Sequence, residues 1–250
     1  MIGSADVVLI VAAGTLAGIV GTAGGITSLV SYPALLVAGV PALAANVVNI
    51  VALVACWPGS AVASRPELRG RAAWLGRWTL VAALGGAAGA ALLLLTPTAA
   101  FAKVVPFLVI SGSLVLLAQP RLSARREGSA GNNTLILAGG LVAVSAYSGY
   151  FGAGSGVMTL ALLLITVDQH VARANALKNM LVGAATVVSA VTLIVLVPVE
   201  WAAVIPLAAG LLAGSLIGPR LARRVPASVL RWFAAILGFG LAIKLWVNPA

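Results

Sequence analysis

Charged side chains are scarce in this 250-residue chain: they make up 8% of the sequence, against about 25% in an ordinary soluble protein. Hydrophobic residues make up 62%, and the mean hydropathy is +1.14. So few charges cannot cover a whole surface in water. The composition therefore argues against an ordinary soluble domain and favours an integral membrane protein built of apolar helices.

Cysteine and acidic residues are scarce as well. Cys56 is the single cysteine, which excludes an internal disulfide and a cysteine-rich metal cluster. The five acidic residues are Asp6, Glu67, Glu127, Asp168 and Glu200. All fall near the ends of predicted helices, which leaves no carboxylate in the membrane interior for a proton relay or a cation site. Because P-loop, HExxH and GxSxG patterns are also missing, the sequence predicts no enzyme, no cofactor and no metal.

Basic residues outnumber acidic ones and give a net charge of +10. They lie in short gaps between apolar runs, and they do not gather on one amphipathic or low-complexity stretch. This distribution is typical of contact with lipid headgroups and of control over membrane orientation. Nucleic acid is therefore not an expected partner.

The apolar runs predict helices of two lengths. A helix needs about 20 residues to cross a bilayer. The runs predicted to cross are 7–20, 42–63, 72–95, 99–118, 134–151, 171–197, 201–217 and 227–247. Two shorter runs, 26–39 and 157–167, each follow a glycine cluster and are predicted to be half-helices or re-entrant arms.

The two glycine clusters indicate an internal repeat. The segment GIVGTAGGI, which begins at Gly18, aligns without a gap on GYFGAGSGV, which begins at Gly149. Further pairs follow in the same order: Asn49 with Asn179, after a one-residue shift, Gly85 with Gly210, Gly89 with Gly214, and Pro97 with Pro226. The shared order predicts a first transmembrane repeat at 1–118 and a second at 134–250, joined by a polar linker at 119–133.

The positions of Lys and Arg favour an inverted arrangement of the two halves, because these residues stay mostly on the cytoplasmic side. If each broken piece forms a hairpin with the helix before it, the second half is inverted and only Lys103 and Lys244 lie outside. If each broken region is one crossing, the halves are parallel and the basic residues divide almost evenly. The predicted fold is therefore an all-α membrane protein with two inverted repeats, each of four long helices plus a glycine-broken short helix. Both termini are expected outside and the 119–133 linker in the cytoplasm.

The glycine turns are the predicted binding site. A helix that begins inside the membrane leaves backbone N–H groups without partners, and its N-terminus carries a partial positive charge that suits an anion. Paired broken helices form the central site of many transporters. The predicted anion-binding residues at the turns are Gly21, Gly24, Gly25, Thr27, Ser28, Gly152, Gly154, Ser155 and Gly156. The alternative is that these glycines only allow close packing of helices.

Polar residues on two long helices are predicted to complete the site. Asn46 and Asn49 share one helix face, and Asn175, Lys178 and Asn179 share another. Polar side chains are costly in a membrane and usually point inward, so Asn49, Asn179 and Lys178 are predicted to bind the substrate. The alternative is that the amides only link helices and that Lys178 extends to the headgroups.

At these residues the chain resembles the TauE/SafE family of membrane proteins, often described as sulfite exporters. The resemblance rests on GIVGTAGGITSLVSYPALLVAGVPALAANVVN and on the second copy, GYFGAGSGVMTLALLLITVDQHVARANALKN, and extends across nearly the whole chain. It implies transport of sulfite, sulfoacetate or related organosulfonate and carboxylate anions across a prokaryotic plasma membrane. The second copy departs from the pattern, since Leu164 replaces the proline seen at Pro33 and Ser155 interrupts the glycine run, so the half-sites are expected to differ.

The expected mechanism is alternating access around a midplane site between the two turns. A cell interior negative by 100 mV favours expulsion of each negative charge by about 2.3 kcal/mol, so an exporter needs no coupling ion. The expected partners are a small anion and membrane lipid. A passive anion channel is the alternative function. A membrane enzyme or a scaffold is a third hypothesis, which the absence of a catalytic constellation and of a large soluble loop disfavours.

Overall fold

The computed structural model describes residues 3–101, 103–108, 110, 114 and 134–222. Throughout this part of the chain the regular structure is helical and no strand occurs. The predicted all-α class is therefore confirmed. The predicted linker at 119–133 and the predicted helix at 227–247 lie outside the described residues.

The helices follow the apolar runs closely. In chain order they are α1 (Ser4–Gly24), α2 (Ser28–Val37), α3 (Ala42–Leu53), α4 (Cys56–Ala63), α5 (Arg65–Leu68), α6 (Ala72–Leu95), α7 (Thr98–Leu108), α8 (Thr134–Tyr150), α9 (Ser155–Thr166), α10 (Val171–Leu196) and α11 (Trp201–Ala222). Within the described residues, five segments are long and apolar enough to cross a membrane: α1, the α3–α4 pair, α6, α10 and α11.

The helices after the glycine clusters are short, as predicted. α2 has 10 residues and α9 has 12. At 1.5 Å per residue they are roughly 15 and 18 Å long, well below the roughly 30 Å of a bilayer core. Neither can cross a membrane alone.

The run 42–63 was predicted as one helix, and the structure divides it into α3 and α4. Pro58 causes the break, because proline has no N–H to donate to the carbonyl of Val54 and its ring clashes at that position. The chain makes a tighter turn here, in which the N–H of Trp57 donates to the Val54 carbonyl over 3.1 Å. Proline is tolerated in the first turn of a helix, and α4 begins here, at Cys56.

Glycines allow α1 to lie directly against α11. A Cβ atom on Gly14 would lie 2.7 Å from the carbonyl oxygen of Leu207, and one on Gly18 would lie 2.6 Å from that of Leu211. Small residues at a membrane helix interface allow this approach of two backbones. Because the contacts advance in the same direction along both helices, α1 and α11 run parallel.

The glycines that pair in the sequence make corresponding contacts in the structure. Gly85 and Gly89 of α6 lie against α8, whereas Gly210 and Gly214 of α11 lie against α1. Each pair therefore joins a late helix of one half to the first helix of the other half.

Other contacts give the directions of the remaining helices. α9 folds back along α8, since the Oγ atoms of Ser148 and Ser155 are 3.2 Å apart near the turn and Gly140 meets Leu162 further away. α4 meets α10 at Trp57, opposite Gly183, and the chain then returns toward the start of α10. α4 and α10 therefore run in opposite directions.

An ion-pair cluster ties the start of α6 to the loop between α9 and α10. In that loop, the Asp168 carboxylate lies 3.0 Å from Arg71 Nη2 and 2.8 Å from Arg173 Nε, and it accepts the backbone N–H of His170 at 2.9 Å. Burial alone raises the pKa of Asp168. The His170 N–H and the two guanidinium groups outweigh that effect and hold the pKa below its ordinary value.

We expect Asp168→Asn to lower the stability of the protein by roughly 1–2 kcal/mol at neutral pH, because both guanidinium groups lose their carboxylate but remain partly solvated. A carboxyl group with a lowered pKa stabilises the fold above its unfolded pKa, about 4, and this contribution is lost as the pH falls through the folded pKa. The measurement is the thermal unfolding midpoint in detergent. The advantage of the wild type over the variant should shrink as the pH falls below about 4; a difference in unfolding midpoint that does not change with pH would contradict the assignment.

We expect Gly89→Ala to lower the thermal midpoint, because the added methyl group would overlap the backbone carbonyl of Ala146 and force α6 away from α8. Gly76→Ala on the same helix is the matched control. Apart from its own neighbours on α6, no atom of the described residues lies within 4 Å of a Cβ at Gly76. Alanine is favoured over glycine in a helix by about 1 kcal/mol. Equal effects of the two substitutions would show that Gly89 has no packing role.

Candidate functional site

Glycines in left-handed conformations form the two turns. The φ angle is 83° at Gly25, 81° at Gly152 and 79° at Gly154, values that glycine adopts without the steric cost that other residues meet. Gly25 ends α1, where its N–H donates to the carbonyl of Gly21 over 2.6 Å, and Gly154 caps the start of α9. The breaks predicted from the glycine clusters are therefore present at both positions.

The two turns touch each other through their backbones. A Cβ atom on Gly25 would lie 2.5 Å from the carbonyl carbon of Gly156, and one on Gly156 would lie 2.5 Å from the Cα of Gly25. Only glycine permits an approach this close. The structure thus brings the two copies of the repeated motif together.

A cavity of about 60 Å³ lies beside this contact. A single water needs at least about 10–15 Å³, so the cavity has room for several water-sized groups. Nine of the twelve predicted site residues line it: Gly21, Gly25, Thr27, Ser28, Gly152, Ser155, Gly156, Lys178 and Asn179. The other three, Gly24, Asn49 and Gly154, are not part of the lining.

Asn49 lies behind the lining of the cavity and contacts it through Ser28. Its Nδ2 donates to Ser28 Oγ at 3.0 Å, and its Oδ1 accepts the hydroxyl of Ser31 at 2.5 Å. Asn49 and Ser31 are fully buried. Asn49 therefore joins α3 to α2 and orients Ser28, which does line the cavity.

Lys178 is buried in the wall of the cavity. Its side chain does not extend to the headgroups; the residue is 2% exposed, and Nζ donates to the carbonyl of Gly21 at 3.3 Å. Among the described residues no carboxylate forms an ion pair with Lys178. A buried cation is costly without a compensating charge, which an anion in the cavity would supply.

Amides from each half hold the broken helix of the other half. On α10, Asn175 and Asn179 donate to the carbonyl of Thr22 at the end of α1, at 3.0 and 3.2 Å. On α3, Asn46 donates to the carbonyl of Tyr150 at the end of α8, at 2.9 Å. These bonds cover carbonyl groups that the interrupted helices leave without intrahelical partners.

Three backbone N–H groups at the starts of the short helices have no hydrogen-bond acceptor among the described residues. They belong to Thr27, Ser28 and Gly156, and all three residues line the cavity. A buried N–H group without a partner is costly, and a helix N-terminus carries a partial positive charge. With Lys178 beside them, these donors make the cavity suited to a negatively charged guest.

Comparison with known proteins identifies the family of the chain. The model of the family described as Sulfite exporter TauE/SafE matches residues 7–245 of the chain. The chain belongs to this family. No match was found among curated proteins or among solved structures. The resemblance seen in the sequence is confirmed, and TauE/SafE membership together with the long apolar helices indicates a multi-pass membrane transporter of sulfur anions.

The structure also adds lining residues that the sequence did not single out in this TauE/SafE protein. They are Thr22, Leu53, Cys56, Trp57, Ser60, Ser148, Val182, Gly183 and Thr186. Two features of the sequence point to some of these lining residues. Pro58 marks the start of α4, which supplies three lining residues, and Val182 and Thr186 follow Lys178 at the spacing of one helix face.

Cys56 offers a direct measurement of the charge in the TauE/SafE cavity, because it lines the cavity and is the only cysteine. We expect iodoacetate, an anion, to alkylate Cys56 faster relative to neutral iodoacetamide than it alkylates a small thiol in solution. Lys178→Gln should remove this preference, since it removes the buried positive charge. Rates would be followed by intact-protein mass spectrometry, with Cys56→Ser as the baseline. If Lys178→Gln leaves the rate ratio unchanged, Lys178 does not set the charge of the cavity.

Proposed function

We propose that the chain exports sulfite or a similarly small anion across a prokaryotic plasma membrane by alternating access around the cavity between the glycine turns. The proposed substrate class includes sulfoacetate and other organosulfonates or carboxylates. The observation that carries this proposal is the position of Lys178, a buried lysine that lines the cavity beside two helix N-termini. Its charge is not balanced by a carboxylate in the described ranges.

The same cavity supports the proposed roles of individual residues. The N–H groups of Ser28 and Gly156 donate to the oxygens of the anion, and Lys178 supplies the charge. Asn179 lines the cavity and Asn49 orients Ser28. Charge-assisted hydrogen bonds to an oxyanion are roughly twice as strong as neutral ones, which favours anions over neutral solutes.

We infer that 1–118 and 134–250 are inverted repeats joined by a cytoplasmic linker at 119–133. Three contacts support this inference: the matched glycine pairs on α6 and α11, the parallel course of α1 and α11, and the opposite directions of α4 and α10. An inverted pair of halves can open alternately to the two sides around a fixed site.

Export is the direction that the charge of the substrate favours. A membrane potential of 100 mV, negative inside, contributes about 2.3 kcal/mol per negative charge expelled. A passive anion channel would use the same driving force. Saturation and counter-exchange separate the two mechanisms, because only a carrier binds one substrate per cycle.

The test is the flux of radiolabelled sulfite into proteoliposomes under an imposed potential, positive inside. We expect a saturable flux that rises with the potential and shows counter-exchange. Lys178→Gln should lower the flux at least about tenfold, because it removes a charge-assisted hydrogen bond that contributes about 1.5–3 kcal/mol.

Lys103→Gln is the matched control for this experiment, since Lys103 is exposed and is not part of the cavity lining. Its flux should equal that of the wild type. A wild-type flux of zero for every small sulfur anion tested would contradict the proposal. A flux that does not saturate would favour the channel, and equal losses in the two lysine variants would remove the role given to Lys178.

A further inference from the structure

Trp57 forms one boundary of the cavity. It lies in the first turn of α4, next to Pro58, and it lines the cavity together with Gly183 of α10. Trp57 is 36% exposed. The indole ring is therefore at an edge of the packed core and next to the open space.

The indole ring lies directly against the backbone of α10. A Cβ atom on Gly183 would lie 2.6 Å from Trp57 Cγ and 2.9 Å from Nε1. Any side chain at position 183 would displace the ring. Because Gly183 has no side chain, the large, rigid ring of Trp57 packs directly against α10 at the cavity wall.

Trp57 and Gly183 form part of the wall around the space that is available to a bound anion. The cavity measures about 60 Å³, enough for a few water-sized groups. Such a space suits a compact oxyanion, whose oxygens can all reach donors at the glycine turns. A sulfonate that carries a two-carbon chain needs more room than a compact oxyanion, and Trp57 forms part of the wall that bounds this room.

We propose that Trp57, packed against Gly183, sets the upper size of the anion that the cavity accepts. A compact oxyanion with one sulfur centre then passes faster than a chain-bearing sulfonate such as sulfoacetate. This inference rests on the proposed function, and it narrows the substrate class to sulfite-like anions. A pocket wall distinguishes one methylene group by about 10–200-fold, so we expect at least tenfold preference for sulfite over sulfoacetate.

The experiment compares labelled sulfite and labelled sulfoacetate in the same proteoliposomes, together with inhibition of sulfite flux by methane-, ethane- and propanesulfonate. In the wild type, inhibition should weaken with each added carbon. Trp57→Leu should raise the relative rate of sulfoacetate about tenfold and flatten the inhibition series. Trp57→Phe should give an intermediate result, and Trp201→Leu, an exposed tryptophan at the start of α11, should match the wild type.

The outcomes distinguish a failure of the size limit from a failure of the proposed function. No sulfite flux in the wild type contradicts both. Sulfite flux with equal sulfoacetate flux, or an unchanged preference in Trp57→Leu, overturns the size limit and leaves the transport proposal standing. If Trp57→Leu carries neither anion, Trp57→Phe decides, and an unchanged inhibition series in that variant overturns the inference.

Discussion

Gly25 and Gly156 meet through their backbones, and this contact sets the geometry at the centre of the protein. Inside a membrane every backbone N–H and carbonyl group needs a partner, so a helix can be interrupted only where protein, water or a ligand replaces the missing hydrogen bonds. Two interruptions lie side by side here. Placing them together concentrates the unsatisfied groups in one cavity, away from lipid.

The interrupted helices leave groups of two kinds, and the protein treats them differently. Carbonyls at the ends of α1 and α8 are covered by Asn46, Asn175, Asn179 and Lys178, each reaching across from the other half. At the starts of α2 and α9, the N–H groups of Thr27, Ser28 and Gly156 have no acceptor in the described ranges, and these residues line the cavity. On our account this difference favours anions: the carbonyls bound by these side chains have donors, several N–H groups beside the cavity have no acceptor in the described ranges, and the basic side chain of Lys178 lies in the cavity wall.

Much of this arrangement could be predicted from the sequence. Glycine clusters followed by short apolar runs predicted both breaks, because length alone prevents such helices from spanning a bilayer. The alignment of Asn49 with Asn179 did not predict the hydrogen-bond partners of these two residues. Asn49 bonds to Ser31 within its own half, but the aligned position in α9 is Leu162, which has no hydroxyl, and Asn179 bonds to the opposite half. Trp57 was missed because it lies in a run that is apolar throughout, where nothing in the sequence distinguishes the side chains that face the cavity.

The most direct test of the account is a crystal structure of the Cys56→Ser protein with selenite, a pyramidal analogue of sulfite that gives an anomalous signal and has no thiol to oxidise in this variant. The account predicts a selenium peak in the cavity, with its oxygens within hydrogen-bond distance of Lys178 Nζ and of the backbone N–H of Gly156. Peaks confined to arginine side chains at the membrane surface, with the cavity between the turns empty or filled by side chains, would contradict it.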